Sequence, residues 1–344
     1  MSILANRRLT RVAVAAGILA GVRAWRRTRR RIDLADRSVL ILGGSRGLGL
    51  ALAREFGRHR ARVAICGRDA ATLERAAADL TGLGITARAI RCDVADGETV
   101  ERAIAEVAEA FGGPDVLVNV AGVIEVGPLS TMTPSDWHEA MAINFWGPLH
   151  AMLAVAPRMR ARGGGRIVNI VSIGGKVPVP HLLPYVASKF ALGGASEGIA
   201  AELAADGILV TTVYPGLMRT GSPRNALFKG RHRAEYAWFT IADSLPGLSV
   251  DADRAARRIV EACRHGDPHV MIGAPARLAA LAHALAPDLT LEALRVAHRL
   301  LPGPGGIGEV RARGRESESA WAPSPLTALT ERAARRYNQI DRTG

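Results

Sequence analysis

The stretch LPYVASKFALGG, Leu183 to Gly194, sets a tyrosine and a lysine four residues apart. On a helix, Tyr185 and Lys189 share one face, about 6 Å apart along the axis. A phenol with a pKa of about 10 is a poor acid–base group at neutral pH. A close ammonium favours phenolate and lowers that value by roughly 1–3 units, so the pair can pass a proton to or from an oxygen. The choice of lysine is informative, because only Lys176, Lys189 and Lys229 among the 45 basic residues are not arginine. A compact, flexible ammonium reaches positions that a planar guanidinium cannot. Taken alone, the same spacing also suits an ordinary exposed helix face.

A second group of residues is suited to phosphate. Gly43-Gly44-Ser45-Arg46-Gly47-Leu48-Gly49 closes an apolar run and opens a helical pattern. Glycines there let the backbone turn tightly and approach a pyrophosphate, which then sits at the positive end of the helix. Gly43, Ser45, Arg46, Gly47, Leu48 and Gly49 are therefore candidate cofactor-binding residues. The next apolar run ends Cys66-Gly67-Arg68-Asp69. Gly67 stands where an acidic residue would hold the 2′-hydroxyl of NAD, and Arg68 follows it. Arg68 with Arg46 favours a 2′-phosphate, so NADP(H) is expected over NAD(H). The competing reading is that arginine is merely abundant and that Asp69 takes the acidic role.

These residues need a scaffold that brings them together. Apolar runs at SVLILGG (38–44), ARVAICG (61–67), ARAIRCDV (87–94), DVLVNVAG (115–122), GRIVNIVS (165–172), ILVTTVYPG (208–216) and PHVMIG (268–273) read as buried strands. Helical patterns lie between them at 48–58, 70–81, 97–111, 135–162, 184–206 and 251–265. Continuous apolar strands separated by helices predict an α/β fold, a single doubly wound parallel-sheet Rossmann domain over 37–275. Ligands in such sheets bind at the carboxyl ends of the strands, where the motifs fall.

Over about Asp36–Gly273 the chain resembles the short-chain dehydrogenase/reductase family. The resemblance rests on GGSRGLG, CDV, NVAG, a serine followed by YVASK, and PGLMRT, in that order. It implies that Asp93 and Val94 border the adenine, and that Asn119, Ala121 and Gly122 stabilise the central sheet and the cofactor. It implies a catalytic set of Ser172, Tyr185 and Lys189 with Asn144 as fourth member, the last holding a water that links Lys189 to solvent. Pro215, Gly216 and Thr220 flank the nicotinamide on the same ground. Ser172, at a strand end, can hold the substrate oxygen while hydride moves to or from its carbon and Tyr185 handles the proton. Two positions depart from the family: Leu42 replaces a usual Thr, and Val120 a common Asn. The expected function is an oxidoreductase interconverting a hydroxyl and a carbonyl. The alternative is a non-catalytic NADP-binding sensor or scaffold on the same fold, against which the intact catalytic set argues.

Composition bounds the remaining classes. The formal charge is +13, yet residues 1–37 hold ten arginines against Asp33 and Asp36, a net +8. The excess charge is that of a tail, which excludes a nucleic-acid-binding face. Cys66, Cys92 and Cys263 are widely spaced, without His clusters, so no disulfide framework or metal is expected. Within residues 1–36 the run VAVAAGILAGV, Val12 to Val22, lies between arginines. It reads as a short or interfacial membrane anchor with the body on the cytoplasmic side, a cleaved signal, a transit peptide or a disordered tail. Residues 222–248 occupy the place of a substrate lid, where Phe228, Tyr236, Trp238 and Phe239 could line a lipophilic pocket or form ordinary lid packing. Residues 276–301 predict two amphipathic helices broken at Pro287 and packed on the body, with membrane contact as the second reading. Residues 302–344 read as a linker, rich in Gly and Pro, and a tail. A homo-oligomer is expected.

Overall fold

The computed structural model describes residues 17, 21, 22 and 24–340. Most of the Val12–Val22 run lies outside them. From Ser38 onward, strands and helices alternate: β1 (Ser38–Leu42), α1 (Gly47–Arg58), β2 (Arg62–Gly67), α2 (Ala70–Gly82), β3 (Ala87–Arg91), α3 (Gly97–Phe111) and β4 (Val116–Asn119). A two-residue strand β5 (Glu125–Val126), α4 (Pro134–Met141), α5 (Gly147–Ala161), β6 (Gly165–Ile170), α6 (Leu183–Leu203) and β7 (Ile208–Pro215) follow. Then come β8 (Met218–Arg219), β9 (Leu227–Phe228), α7 (His232–Ser244), β10 (Val250–Asp251), α8 (Ala252–His265) and β11 (His269–Ile272). The C-terminal part adds α9 (Ala274–Leu285), α10 (Pro287–His298), β12 (Ala312–Arg313) and α11 (Ala328–Arg336).

Seven strands form one parallel sheet in the order β11-β7-β6-β4-β1-β2-β3. The order reverses on either side of β1, which opens a crevice at the carboxyl ends of β1 and β4. The strands are apolar throughout because both faces are covered. One core joins α1 and α8 to the sheet through Leu52, Phe56, Ile259 and Val260. The other joins α3 and α5 through Ile104, Val107, Met152 and Val155. The predicted helix 135–162 is divided by a π-helical turn, Ala142–Trp146, that carries Asn144. Such turns insert one extra residue and are common at functional sites.

The ends of the chain differ from expectation. Both α9 and α10 form, but their leucine stripes face outward: Leu278 is 67% exposed and Leu285 77%. Contact with the body is made at Ala276 of α9, against Gly216, and at His298 of α10, whose ring lies 5.2 Å from that of His181, while the expected packing along the leucine stripes does not form. The stretch expected as a linker folds back instead. β12 pairs antiparallel with β9, which pairs with β5, closing a small second sheet. Arg311 enters a buried cluster there, reaching Glu125 at 2.9 Å, Asp136 at 2.6 Å and also Glu139. Lys229, 1% exposed, holds Asp136 from the other side at 2.6 Å. Part of the basic N-terminal run is docked too: Arg27 pairs with Asp267 at 2.9 Å, and the Arg30 carbonyl accepts from Arg166. Among the described residues no helix is long and apolar enough to cross a membrane.

Candidate active site

The Gly-rich turn is shaped by close approach. Gly43, at φ +94°, lies so near the Ala121 backbone that a Cβ would collide with it. A Cβ on Gly49 would strike the Gly43 carbonyl. The Leu42 carbonyl accepts from the amides of both Val120 (3.0 Å) and Ala121 (2.7 Å), joining the ends of β1 and β4. Backbone bonds thus tie these strands where Leu42 and Val120 depart from the family pattern. Among the described residues the amides of Leu48 and Gly49 have no backbone acceptor, as the start of a phosphate-binding helix requires.

At the end of β2, Gly67 and Asp69 differ in what they contact. The Asp69 carboxylate caps α2, accepting from the Thr72 amide at 2.7 Å. A side chain on Gly67 would press on the Ser45 hydroxyl at 3.0 Å, and Arg68 beyond it is exposed. A neutral strand end with a guanidinium beside it fits a 2′-phosphate. Asp93 turns its carboxylate to the Ala95 amide (3.1 Å), while Val94 packs beneath Gly147. Thr220, nearly buried, accepts from the Ser222 amide at 3.2 Å, and the Gly216 amide following Pro215 donates to Ile272.

Ser172, Tyr185 and Lys189 come together past the end of β6. The Ser172 hydroxyl accepts from the Gly174 amide at 3.0 Å and acts to lower the pKa of the Tyr185 phenol. A Cβ on Gly174 would lie 3.4 Å from the Tyr185 ring and 3.5 Å from Ser172 Oγ, so only a small residue leaves the space open. The Lys189 Nζ sits 5.7 Å from the Tyr185 ring centroid and donates to the Ile170 carbonyl at 3.0 Å. Burial pushes the ammonium down to about 8.

The phenol does not follow the simple expectation. Burial pushes Tyr185 up to about 12, outweighing the Ser172 hydroxyl, and the carboxyl of Asp243 adds to the rise. Low polarity around the hydroxyl dominates, and the Lys189 ammonium is directed to a backbone carbonyl. At neutral pH the phenol is therefore held as an acid.

Asn144 is fully buried and spends its amide on scaffold. Its Oδ1 accepts from the Val123 amide (2.9 Å), and its Nδ2 donates to the Val123 carbonyl and the Ser188 hydroxyl (3.0 Å each). It still converges with Gly122 and Lys189: a Cβ on Gly122 would lie 3.1 Å from Asn144 Oδ1 and 3.8 Å from Nζ. Asn119 donates to Asn169 at 2.7 Å, Asn169 to Ser196 at 2.8 Å, and Ser196 meets Thr212 at 2.6 Å. This buried chain pins α6, with its tyrosine and lysine, to β4, β6 and β7.

Sequence reasoning missed two buried groups, of which Asp243 acts on the phenol. Asp243, on the inner face of α7, is pushed up to about 8 by burial, despite a bond from the Met218 amide and the charge of Arg219. An acidic residue within the apolar pattern AWFTIADS was the available signal. His181, at φ +64° and 2% exposed, bonds Glu235 at 2.8 Å, and Glu235 also accepts from Trp238. Phe228, Tyr236 and Phe239 pack edge-on against one another and are lid core, not pocket lining. Tyr185, with Ile124, Val179 and Trp238, packs against the buried cluster that holds these three aromatic residues and Val186.

This arrangement is that of a nucleotide-dependent oxidoreductase, and the chain belongs to the short-chain dehydrogenase family, whose profile matches residues 37–227. It is 32% identical over 264 residues to dehydrogenase/reductase SDR family member 7B of Danio rerio, covering 75% of this chain and 84% of that protein. It is 35% identical over 193 residues to a fatty acyl-CoA reductase of Mycobacterium tuberculosis, covering 55% of this chain and 65% of that one. Among solved structures, an actinorhodin polyketide ketoreductase with NADPH aligns with a TM-score of 0.62 at 30% identity. That alignment covers 69% of this chain and 95% of the ketoreductase.

Proposed function

We propose that the protein is an NADP(H)-dependent oxidoreductase that interconverts a hydroxyl and a carbonyl on a lipophilic substrate. The observation that carries this reading is the convergence of Ser172, Tyr185 and Lys189 at the carboxyl edge of the sheet, beside a glycine-shaped phosphate turn. Ser45, Arg46 and Arg68 would hold the adenosine phosphate end, the Leu48 and Gly49 amides the pyrophosphate, and Lys189 the ribose. When bound, NADPH supplies a hydride to the carbonyl carbon. Ser172 orients the carbonyl oxygen, and the Tyr185 hydroxyl gives that oxygen its proton, which solvent then replaces. A phenol kept protonated by burial suits this reductive direction. The fatty acyl and polyketide substrates in the relatives' names, and the apolar group around Tyr185, support a lipophilic substrate.

A membrane surface as the place of work is supported by the Val12–Val22 run between arginines and by the outward leucines of α9 and α10. Apolar residues exposed on the outer faces of α5 and α6, Leu153 and Phe190, support self-association.

The test is NADPH absorbance with a panel of ketones, aldehydes and acyl thioesters of graded chain length. Oxidation that rises with chain length supports the reading. No turnover of any carbonyl, or preference for polar polyols, refutes it.

A further inference from the structure

Three residues past α11 lie on the phosphate-binding turn. The Tyr337 carbonyl accepts from the Gly47 amide at 2.9 Å. Asn338 Nδ2 donates to the carbonyls of Ser45 and Thr72, at 2.9 Å each, and its Oδ1 accepts from Arg75 at 3.2 Å. Gln339 Oε1 accepts from Asn225 at 2.7 Å, which turns the other end of its amide toward the turn. A Cβ built on Gly47 would lie 2.8 Å from Gln339 Nε2 and 3.9 Å from Thr220 Cβ. This stretch is anchored by Tyr337, which is 1% exposed and bonds Asp253 at 2.8 Å, and by Ala334 against Gly221.

We propose that Gln339 is a cofactor-binding residue whose side-chain amide donates to the pyrophosphate of NADP(H). The proposal rests on the cofactor reading above and extends its site to the far end of the chain, beyond the span the family profile matches. The tail takes only the Gly47 amide and leaves those of Leu48 and Gly49 to the phosphates. Because Oε1 is spent on Asn225, Nε2 presents hydrogens and not a lone pair to the space between Gly47 and Thr220. Among the described residues Nε2 has no acceptor of its own. A donor already fixed in place loses little freedom on meeting an anion.

The test is the affinity of the full chain for NADPH, read by nicotinamide fluorescence, beside that for adenosine 2′-monophosphate, which lacks the pyrophosphate. Gln339→Ala should weaken NADPH roughly tenfold, and Gln339→Glu, which sets a carboxylate against the phosphates, roughly a hundredfold. Binding of adenosine 2′-monophosphate should stay within about twofold of wild type in both variants. NADPH binding that is unchanged or tighter in Gln339→Ala overturns the proposal, a tighter complex marking the tail as an obstruction. Equal weakening of both probes also overturns it, since the tail would then only shape the turn. A wild-type chain that binds neither probe refutes the cofactor reading itself, a separate result.

Discussion

Replacing Arg311 with Met tests the claim that residues 302–340 are part of the folded body. Its guanidinium faces three carboxylates, Glu125, Asp136 and Glu139, and Lys229 supplies the only other cation in contact with them among the described residues. Burial acts to raise Asp136, but bonds from Lys229, the Thr133 amide and Arg311 outweigh it and hold the group at about 2. Burial pushes Glu125 the other way, upward, with Arg311 opposing. Breaking a buried pair costs about 3–5 kcal/mol, and because the Arg311 side chain is 31% exposed the expected loss is about 2–3 kcal/mol at pH 7. The signs follow from the two directions. Asp136, depressed from 3.8, contributes about 2 kcal/mol above pH 4, lost as pH falls through 2. Glu125, raised, is favoured when protonated, so the stranded charge in Arg311→Met is relieved as pH falls. Urea unfolding at pH 7 and pH 4 should show the deficit shrinking at the lower pH, and Glu125→Gln in the same background should recover part of it. A deficit below about 0.5 kcal/mol at pH 7, or one equally large at pH 4, would refute the reasoning.

Four further outcomes are expected. Tyr185→Phe should lower turnover by roughly 10²–10⁴ with NADPH affinity retained, and Lys189→Arg should be impaired despite its charge; Tyr185→Phe within about threefold of wild type would sink the mechanism. Arg68→Ala should weaken NADPH by about tenfold while leaving NADH within about twofold, as read by titration of each cofactor. Carbonyl reduction should fall as pH rises through about 8, where Lys189 loses its charge and Asp243 gains one. Asp243→Asn separates the two, because a limb that persists in it belongs to Lys189. Removal of residues 1–23 should leave an active body that no longer sediments with anionic vesicles, whereas removal through residue 32 should also destabilise it, since Arg27, Arg30 and Ile32 bond the body.

Much of this was legible along the chain, and the reason is local. The alternation of buried strands and helices follows from an apolar period that each segment carries by itself, and every predicted strand from Ser38 to Ile272 forms. The glycine turn and the Tyr185–Lys189 spacing are equally local. What stayed hidden depends on which surfaces meet. That burial would dominate the Tyr185 phenol needed the lid carboxyl Asp243, 58 positions away in sequence, and the apolar group around it. The aromatic residues of the lid could be read as pocket lining or as lid packing, because composition cannot tell core from cavity wall. The Gly- and Pro-rich stretch after residue 302 has the composition of a linker, yet one arginine in it meets a buried acidic cluster that no local pattern announces. The scarcity of lysine also carries structural information: Lys229, like Lys189, is buried.

The bond between the Gly47 amide and the Tyr337 carbonyl joins positions 290 residues apart. During synthesis at roughly 5–20 residues per second, roughly 15–60 s separate the appearance of the phosphate turn from that of the segment that covers it. The nascent chain thus holds all its sheet strands and its tyrosine and lysine well before the outer wall of the nucleotide cleft exists. Closure of that cleft waits for residue 337, so a ribosome that stops short of it leaves a protein with its tyrosine and lysine in place and its nucleotide turn uncovered.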